Sequence, residues 1–200
     1  MEEIIVKENE ELILPALWTG EEKELTYNII LKGKGSSIKF LGLLLGNQDQ
    51  GLKLKITVVH QAENTKSEVI IKSALRDSSS VFFDGLIKIE KGAKGTNAWL
   101  AAHLLLLSQK SRGIAVPNLE IIENDIKAGH AATVGKINDL ELYYLMSRGI
   151  PEEKAKELIV RGFLESIINQ FPQKLSEKAS EHLNWDLKSQ MSHVKSTSEI

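Results

Sequence analysis

Apolar and polar residues alternate along most of the chain up to about residue 137, with the two-residue period typical of β-strands. In the clearest run, residues 52–60, apolar side chains alternate with Lys53, Lys55 and Thr57, and His60 continues the apolar parity. The same alternation predicts strands around residues 25–31, 37–45, 69–75 and 81–89, and a strand, turn and strand over 119–134. Residues 98–107 have the length and the alanines of a helix, but the pattern alone leaves helix and strand open.

Turn-forming runs separate the predicted strands at intervals of about a dozen residues: 33–36, 46–49, 76–79 and 91–95. This spacing favours a β-sandwich, a barrel or a β-solenoid. Because no residue-level repeat is visible, the pattern does not choose among the three. We interpret the Gly-Lys-Gly-Ser run at 33–36 as a hairpin turn, because the GxxxxGK[ST] phosphate loop is absent.

From residue 138 the apolar period becomes helical. Asn138 or Asp139 can cap a helix that runs through Met146 and ends at Gly149, and Pro151 stands near the start of a second helix. The predicted apolar face of that helix consists of Ala155, Leu158, Ile159, Phe163 and Ile167. A third helix is predicted after Pro172. The expected division is therefore a β-rich part, 1–137, with a lead-in at about 1–20, and a helical part, 138–200.

Composition and charge indicate which classes of partner and which cellular compartment to expect. The 200 residues suffice for a sizeable core, and the net charge of −2 gives no footprint for nucleic acid. Residues 1–11 are acidic and lack the basic start of a secretory signal. The longest apolar run, 98–107, is too short to span a bilayer. We therefore expect a soluble, cytoplasmic protein with no membrane or nucleic-acid partner.

The sequence contains no cysteine. Disulfides, thiol nucleophiles and any Cys-ligated zinc or iron–sulfur site made by this chain alone are thereby excluded. No two histidines have the spacing of an HxxxH or HExxH motif, so we expect no intrinsic metal site. Any metal cluster that this chain helps to build takes its sulfur ligands from elsewhere.

His130 is the leading candidate for chemistry. In strand parity it shares a face with apolar and mostly small residues, among them Ala128 and Ala132. One interpretation is a buried histidine hydrogen-bonded to a neighbour; the other is a titratable group or a shared metal ligand at a partner interface. His60 and His103 are expected to have satisfied core roles. Arg148 can contact helix-terminal carbonyls or a carboxylate of a partner.

Several motifs, taken in order, resemble the SufB/SufD family of iron–sulfur cluster assembly proteins. The resemblance extends from about His60 to Pro172. Its motifs are the histidine, threonine and serine spacing of 60–67, the F-x-G-x-I run at 83–87, the LLLS run at 104–108, P-x-L-E-I at 117–121, GHAATVG at 129–135 and the Tyr-Leu-Met-Ser-Arg-Gly-Ile run at 144–150.

The resemblance implies a right-handed parallel β-helix followed by a helical subdomain. It implies an ABC-type ATPase partner, SufC, that docks on the C-terminal helices; on these helices Arg148, Ile150, Pro151 and Phe163 are the candidate contacts. It also implies a second SufB/SufD-like subunit, as a homodimer or a heterodimer, that pairs edge to edge with the β-helix. The family histidine that matches His130 lies near that junction, where an iron–sulfur cluster is shared transiently.

Two departures from the family pattern shape the expected role. The essential cysteine of the SufB member has no counterpart here, and Ala128 stands where a cysteine often precedes the family histidine. The chain is also shorter than is common in the family. It is therefore more similar to SufD, and we expect a scaffold subunit and not an enzyme. The alternatives are a β-solenoid enzyme acting on polysaccharides and a paralogue used only for protein–protein binding.

Overall fold

A computed structural model describes the backbone of residues 2–194 and the side chains of residues 3–183. The chain forms two compact units, Met1–Lys136 and Ile137–Ile200. The first unit consists of β-strands and the second of α-helices. Each unit is described by itself below.

The first unit is a parallel β-solenoid. Its strands are β1 (Glu2–Val6), β2 (Glu11–Trp18), β3 (Glu24–Leu31), β4 (Ser37–Gly46), β5 (Gly51–His60), β6 (Lys66–Leu75), β7 (Ser80–Ile89), β8 (Thr96–Leu106), β9 (Arg112–Ile121) and β10 (Ile126–Gly135). One sheet has the order β1-β3-β5-β7-β9 and the other the order β10-β8-β6-β4-β2, and every pairing is parallel. Consecutive strands thus lie in different sheets, so each of five coils gives one strand to each sheet. The solenoid, and not the sandwich or the barrel, is confirmed.

The parallel register stacks equivalent inward positions of successive coils. Phe40, Val69 and Leu100 stand side by side in three neighbouring strands, and all three are fully buried. The core is filled where the two sheets face each other: a Cβ added at Gly85 would lie 2.6 Å from Phe83 Cζ and 2.7 Å from Leu100 Cδ1. The middle coils therefore enclose a packed interior, which is the main source of stability in this unit.

One corner of the solenoid repeats a two-residue device. A residue in the left-handed backbone region is followed by Ser or Thr at Gly35–Ser36, Asn64–Thr65 and Gly95–Thr96, with φ of 69°, 58° and 70°. Each hydroxyl donates to the carbonyl three residues earlier. Each left-handed N–H donates to a carbonyl of the following coil at 2.7–3.0 Å. The run at 33–36 is thus a corner between two sheets, and its interpretation as a hairpin turn is wrong.

The second unit contains three helices, α1 (Asp139–Ser147), α2 (Glu152–Ile168) and α3 (Gln173–Val194). The side-chain oxygen of Asn138 caps α1 by accepting from the backbone N–H of Leu140 at 2.8 Å. Gly149, with φ of 83°, follows the end of α1, and Pro151 immediately precedes α2. The predicted helix boundaries around residues 138–151 are confirmed.

The buried face of α2 differs from the predicted one. The buried residues of this helix are Ala155, Val160, Leu164, Ile167 and Ile168. Leu158 is 41% exposed and Phe163 is only partly buried. The apolar residues of α2 outnumber those that one face can bury, and the three- and four-residue spacing fits two overlapping stripes. The prediction is confirmed for Ala155 and Ile167 and wrong for Leu158, which is exposed.

The structure shows the secondary structure of two segments that the sequence pattern did not assign. Residues 98–107 fall largely in the strand β8, where Ala98, Leu100 and Ala102 point into the core. The first twenty residues, treated as a lead-in above, carry β1 and β2, the first coil. In β2 the inward parity falls on Leu12, Leu14, Ala16 and Trp18.

Candidate functional site at the open end of the solenoid

The last coil leaves one end of the solenoid uncovered. β9 and β10 are the terminal strands of their sheets, so each has a β-neighbour on one side only. The inward positions of these strands carry apolar residues that are only partly buried, among them Ala115, Leu119, Ile126 and Ala128. The end of the solenoid is therefore an apolar floor bordered by two strand edges with unpaired backbone groups.

His130 lies in this floor. It pairs in register with Leu100 of β8, which is fully buried, so its side chain has the inward parity of the core. Yet His130 is exposed, because no further strand lies over β10 in the part of the chain that the structure describes. The interpretation of His130 as a buried core histidine is therefore wrong. The predicted face that it shares with Ala128 and Ala132 is confirmed by the register.

Two side chains of β8 contact β10 from the outer face, on either side of His130. The indole of Trp99 lies over Gly129, where an added Cβ would come within 2.4 Å of Trp99 Cζ3. His103 Nδ1 lies 2.8 Å from Thr133 Oγ1. Burial, and after it the positive charge of Lys72, lowers the pKa of His103. His103 thus has a hydrogen-bond partner as expected, but on the outer face and not in the core.

His60 has the satisfied core role that the sequence predicts. It is fully buried, with Nδ1 2.8 Å from Thr65 Oγ1 and Nε2 2.8 Å from Ser67 Oγ. Thr65 donates its proton to the Ala62 carbonyl and lies 3.0 Å from Thr96 Oγ1, so we assign the His60 proton to Nδ1 and the donor at Nε2 to Ser67. Burial lowers the pKa of His60 to about 4, so this imidazole is neutral near pH 7.

The site offers an exposed imidazole without the ligands for a metal of its own. Among residues 3–183 no group of three or more His, Asp or Glu side chains is close enough to hold an ion. An exposed imidazole can donate or accept a hydrogen bond, or give one nitrogen to a metal whose other ligands come from elsewhere.

A second candidate surface lies within the helical unit. Leu140, Tyr143 and Tyr144 on α1 are 78%, 71% and 57% exposed. An apolar groove of about 530 Å³ is bordered by Leu140 and Tyr144 of α1 and by Leu158 and Ile159 of α2. Exposed aromatic and aliphatic residues gathered in this way are typical of a protein-binding surface.

The four predicted partner contacts lie near this groove in sequence, but they are not its lining. The guanidinium of Arg148 lies 5.1 Å from the ring centroid of Tyr144 and donates to the Tyr144 hydroxyl at 3.0 Å. It contacts neither a helix-terminal carbonyl nor, within the described residues, a carboxylate. Pro151 is exposed, whereas Ile150 and Phe163 are partly buried.

Sequence reasoning missed Trp99 at the solenoid and the exposed residues of α1. A signal was present for α1, since Leu140, Tyr143 and Tyr144 crowd one short helix with more apolar surface than a nine-residue helix can bury on one face. No comparable signal marks Trp99, because its neighbour Gly129 lies thirty residues away in the sequence. No helix within the described residues combines the length and hydropathy needed to cross a membrane.

The sequence is similar to those of a known protein family. The model of a family described as "SUF system FeS cluster assembly, SufBD core domain" matches residues 16–163. The iron-sulfur cluster assembly protein SufD of Bacillus subtilis is 39% identical over 142 residues, which cover 71% of this chain and 32% of the relative. SufB of the same organism is 30% identical over 158 residues, which cover 79% of this chain and 34% of the relative.

An iron-sulfur cluster assembly SufBD family protein of Mycobacterium leprae is 37% identical over 159 residues, 79% of this chain and 17% of the relative. The matched segment thus spans about a third or less of each of these relatives. The family model covers the solenoid from the end of β2 through β10 as well as α1 and part of α2, and so includes both candidate surfaces. The chain belongs to the SufB/SufD family.

Proposed function

We propose that this chain is a scaffold subunit in the assembly of iron–sulfur clusters. In this proposal it has no catalytic activity of its own and works with an ABC-type ATPase and a second SufB/SufD-like subunit. The observation that carries the proposal is the uncovered end of the solenoid, where His130 is the polar side chain among inward-facing apolar residues of β10. The family names of the relatives supply the kind of cargo.

The open end supports pairing with a second subunit. The partly buried residues Leu119, Ile126 and Ala128 would be covered by the inward residues or strand edges of a partner, and unpaired β-edges are ready templates for such contacts. His130 would then stand at the junction. The exposed Ile121 and Ile122 beside the end of β9 would extend the apolar contact.

The nascent cluster is cargo in this scheme and is held only in part by this chain. Iron–sulfur clusters are held mainly by cysteine thiolates, and the sequence has none. A single imidazole can supply one ligand or a proton, as it does in clusters of mixed ligation. The thiolates would come from the second subunit, which favours a cysteine-bearing SufB/SufD relative over a second copy of this chain.

The apolar groove of the helical unit is the proposed contact for the ATPase. It is continuous with the predicted contacts, because Tyr144 in its lining holds Arg148 through the ring and the hydroxyl. Leu140 and Tyr143 are the most exposed large apolar side chains among the described residues, and they lie on α1 beside this groove.

The experiment has two arms. In the first, an ABC-type ATPase of the SufC kind is tested for binding to this chain and for stimulation of its ATPase activity. We expect the double variant Leu140→Ala, Tyr143→Ala to lose binding and the matched exposed variant Lys178→Ala on α3 to keep it. Absence of binding by the unaltered chain would overturn the ATPase partnership.

In the second arm, cells that lack the chain are complemented with variants, and the activity of an iron–sulfur enzyme is measured. His130→Ala should reduce that activity severalfold, whereas Lys127→Ala, an exposed outward-facing change on the same strand, should leave it unchanged. Full complementation by His130→Ala would remove the histidine from the mechanism and leave a subunit used for binding alone.

A further inference from the structure

The strand that carries His130 has few side chains to fix its position. β10 is an edge strand, and β8 is its only β-neighbour among the residues that the structure describes. Its outward positions include Gly129, Ala131 and Gly135, which offer little surface for packing. Register is weakly specified in strands of this kind, and a slip by two residues would carry His130 about 7 Å along the edge.

Two contacts on the outer face hold β10 in place although its own outward-facing side chains are small. The Trp99 ring covers Gly129, and the ring and the glycine are opposite each other in register. Gly129 is needed here for space and not for its backbone conformation, since even a methyl group at this position would meet the ring at 2.4 Å. The glycine of the GHAATVG motif thus has a physical reason that the sequence alone does not reveal.

The second contact is four residues further along the strand. His103 Nδ1 and Thr133 Oγ1 are 2.8 Å apart, again between residues that are opposite in register. The contacts at Gly129 and Thr133 bracket His130 on the face opposite to its imidazole. Both are side-chain contacts between β8 and β10, so they hold the edge strand against the strand that is anchored in the core.

We propose that Trp99 and His103 are positioning residues for His130: together they hold β10 in the single register that keeps the imidazole at the open end of the solenoid. Neither residue touches the cargo in this scheme. The inference rests on the proposed function for its purpose, but its structural content, a register held by two outer-face contacts, can be tested separately.

The test compares the unaltered chain with Trp99→Ala, Thr133→Val and the double variant. Amide hydrogen exchange is measured over residues 126–135, with residues 66–75 of β6 as the internal reference for global folding. The imidazole carbon resonances of His130 report its surroundings directly. We expect the double variant to exchange about tenfold faster over 126–135, to keep the protection of β6, and to shift the His130 resonances.

Two further variants sharpen the test. Trp99→Phe, which keeps an aromatic ring over Gly129, should restore most of the protection. Phe82→Ala removes an exposed aromatic side chain from the outer face of β7, away from β10, and should change neither readout. Unchanged exchange over 126–135 and an unshifted His130 resonance in the double variant would overturn the inference.

The two proposals fail in distinguishable ways. If His130→Ala supports full cluster assembly while the double variant still loosens β10 and shifts the His130 resonances, the positioning stands and the proposed function falls. If His130→Ala impairs assembly while the double variant leaves exchange and resonances unchanged, the positioning falls alone. With both proposals correct, the double variant should reduce assembly toward the level of His130→Ala, and Trp99→Phe should recover it.

Discussion

The middle coils and the last coil of the solenoid place inward-facing residues at equivalent positions with opposite results. Leu100 and His130 are opposite each other in register, yet the first is fully buried and the second exposed. Ala102 and Ala132 repeat the contrast one pair further along. What differs is whether another coil lies above. Inward parity therefore builds a core where another coil covers it and an exposed surface where none does.

The two histidines with inward parity show the chemical side of this comparison. His60 is enclosed between coils, has both ring nitrogens within 2.8 Å of hydroxyl oxygens, and has a pKa lowered by burial to about 4. His130 on the last coil is open to water. One residue type thus serves as a neutral structural element in one coil and as an accessible group in another.

The largest effect on stability should come from truncating two inward-facing residues that are opposite each other in neighbouring strands. Ile87 and Leu119 are opposite each other in β7 and β9; the first is fully buried and the second only partly. Ile87→Ala should lower the free energy of unfolding by about 2–5 kcal/mol, through lost burial and the cavity left behind. Leu119→Ala should cost about 1 kcal/mol, because less of that side chain leaves water. Urea denaturation measures both, and equal losses would contradict the contrast between the coils.

The next largest effect should be the pH dependence of stability that His60 causes. The folded-state pKa of His60 is about 4 and its ordinary value is 6.5, so the unfolded chain binds the extra proton first as pH falls. The stabilisation is complete above pH 6.5 and is lost progressively down to about pH 4, by about 3 kcal/mol.

A matched pair of variants checks this assignment. His60→Gln should be less stable at neutral pH and should lose little further stability between pH 6.5 and 4. Phe82→Ala, an exposed change on the outer face of β7 that removes no titratable group, should retain the pH dependence of the unaltered chain. If the decline between pH 6.5 and 4 persisted in His60→Gln, it would have to come from other groups.

A smaller effect is expected from enlarging the paired alanines. Ala102→Leu adds a bulky side chain to a packed interior and should cost about 1–3 kcal/mol. Ala132→Leu places the same side chain on the open coil and should change the stability of the isolated chain by less than about 0.5 kcal/mol. Thermal unfolding of the two variants side by side decides whether the last coil is as open as its register and exposure indicate.

A modest effect should come from removing the hydroxyl of Thr96. This group is buried, donates to the Ala93 carbonyl at 2.8 Å and lies 3.0 Å from Thr65 Oγ1. Thr96→Val keeps the shape of the side chain but leaves the carbonyl without this donor, and should cost about 1 kcal/mol. A cost of zero would show that the polar cluster around His60 adds nothing to the closed coils.

Much of the fold follows from local pattern, but its closure into coils does not. The alternation at 52–60 and 81–89 predicts strands, and it cannot state that β5 pairs with β7 rather than with β6. Strand pairing here joins residues about thirty positions apart. A signal for it was nevertheless present, since Gly35–Ser36, Asn64–Thr65 and Gly95–Thr96 repeat the same corner at intervals of about thirty residues.

The candidate site was predictable in identity but not in exposure. Parity places His130 among small inward residues, and the GHAATVG motif draws attention to it. Whether such a residue is buried depends on the number of coils stacked beyond it, which is a property of the whole solenoid. The pairing of Trp99 with Gly129 is equally non-local, so the space that this glycine provides could not be read from the motif.

The proposed pairing depends on contact between the inward face of the open coil and a second subunit. Because the sequence contains no cysteine, Ala132→Cys can be labelled at that single position with a thiol-reactive photo-crosslinker, and Lys53→Cys on the outer face of β5 serves as the control. Each labelled chain is irradiated with a purified cysteine-bearing SufB/SufD relative, and in a separate reaction with unlabelled chain. We expect a cross-linked heterodimer from position 132 and none from position 53. Equal cross-linking from both positions, or none from position 132 with either partner, would contradict the claim.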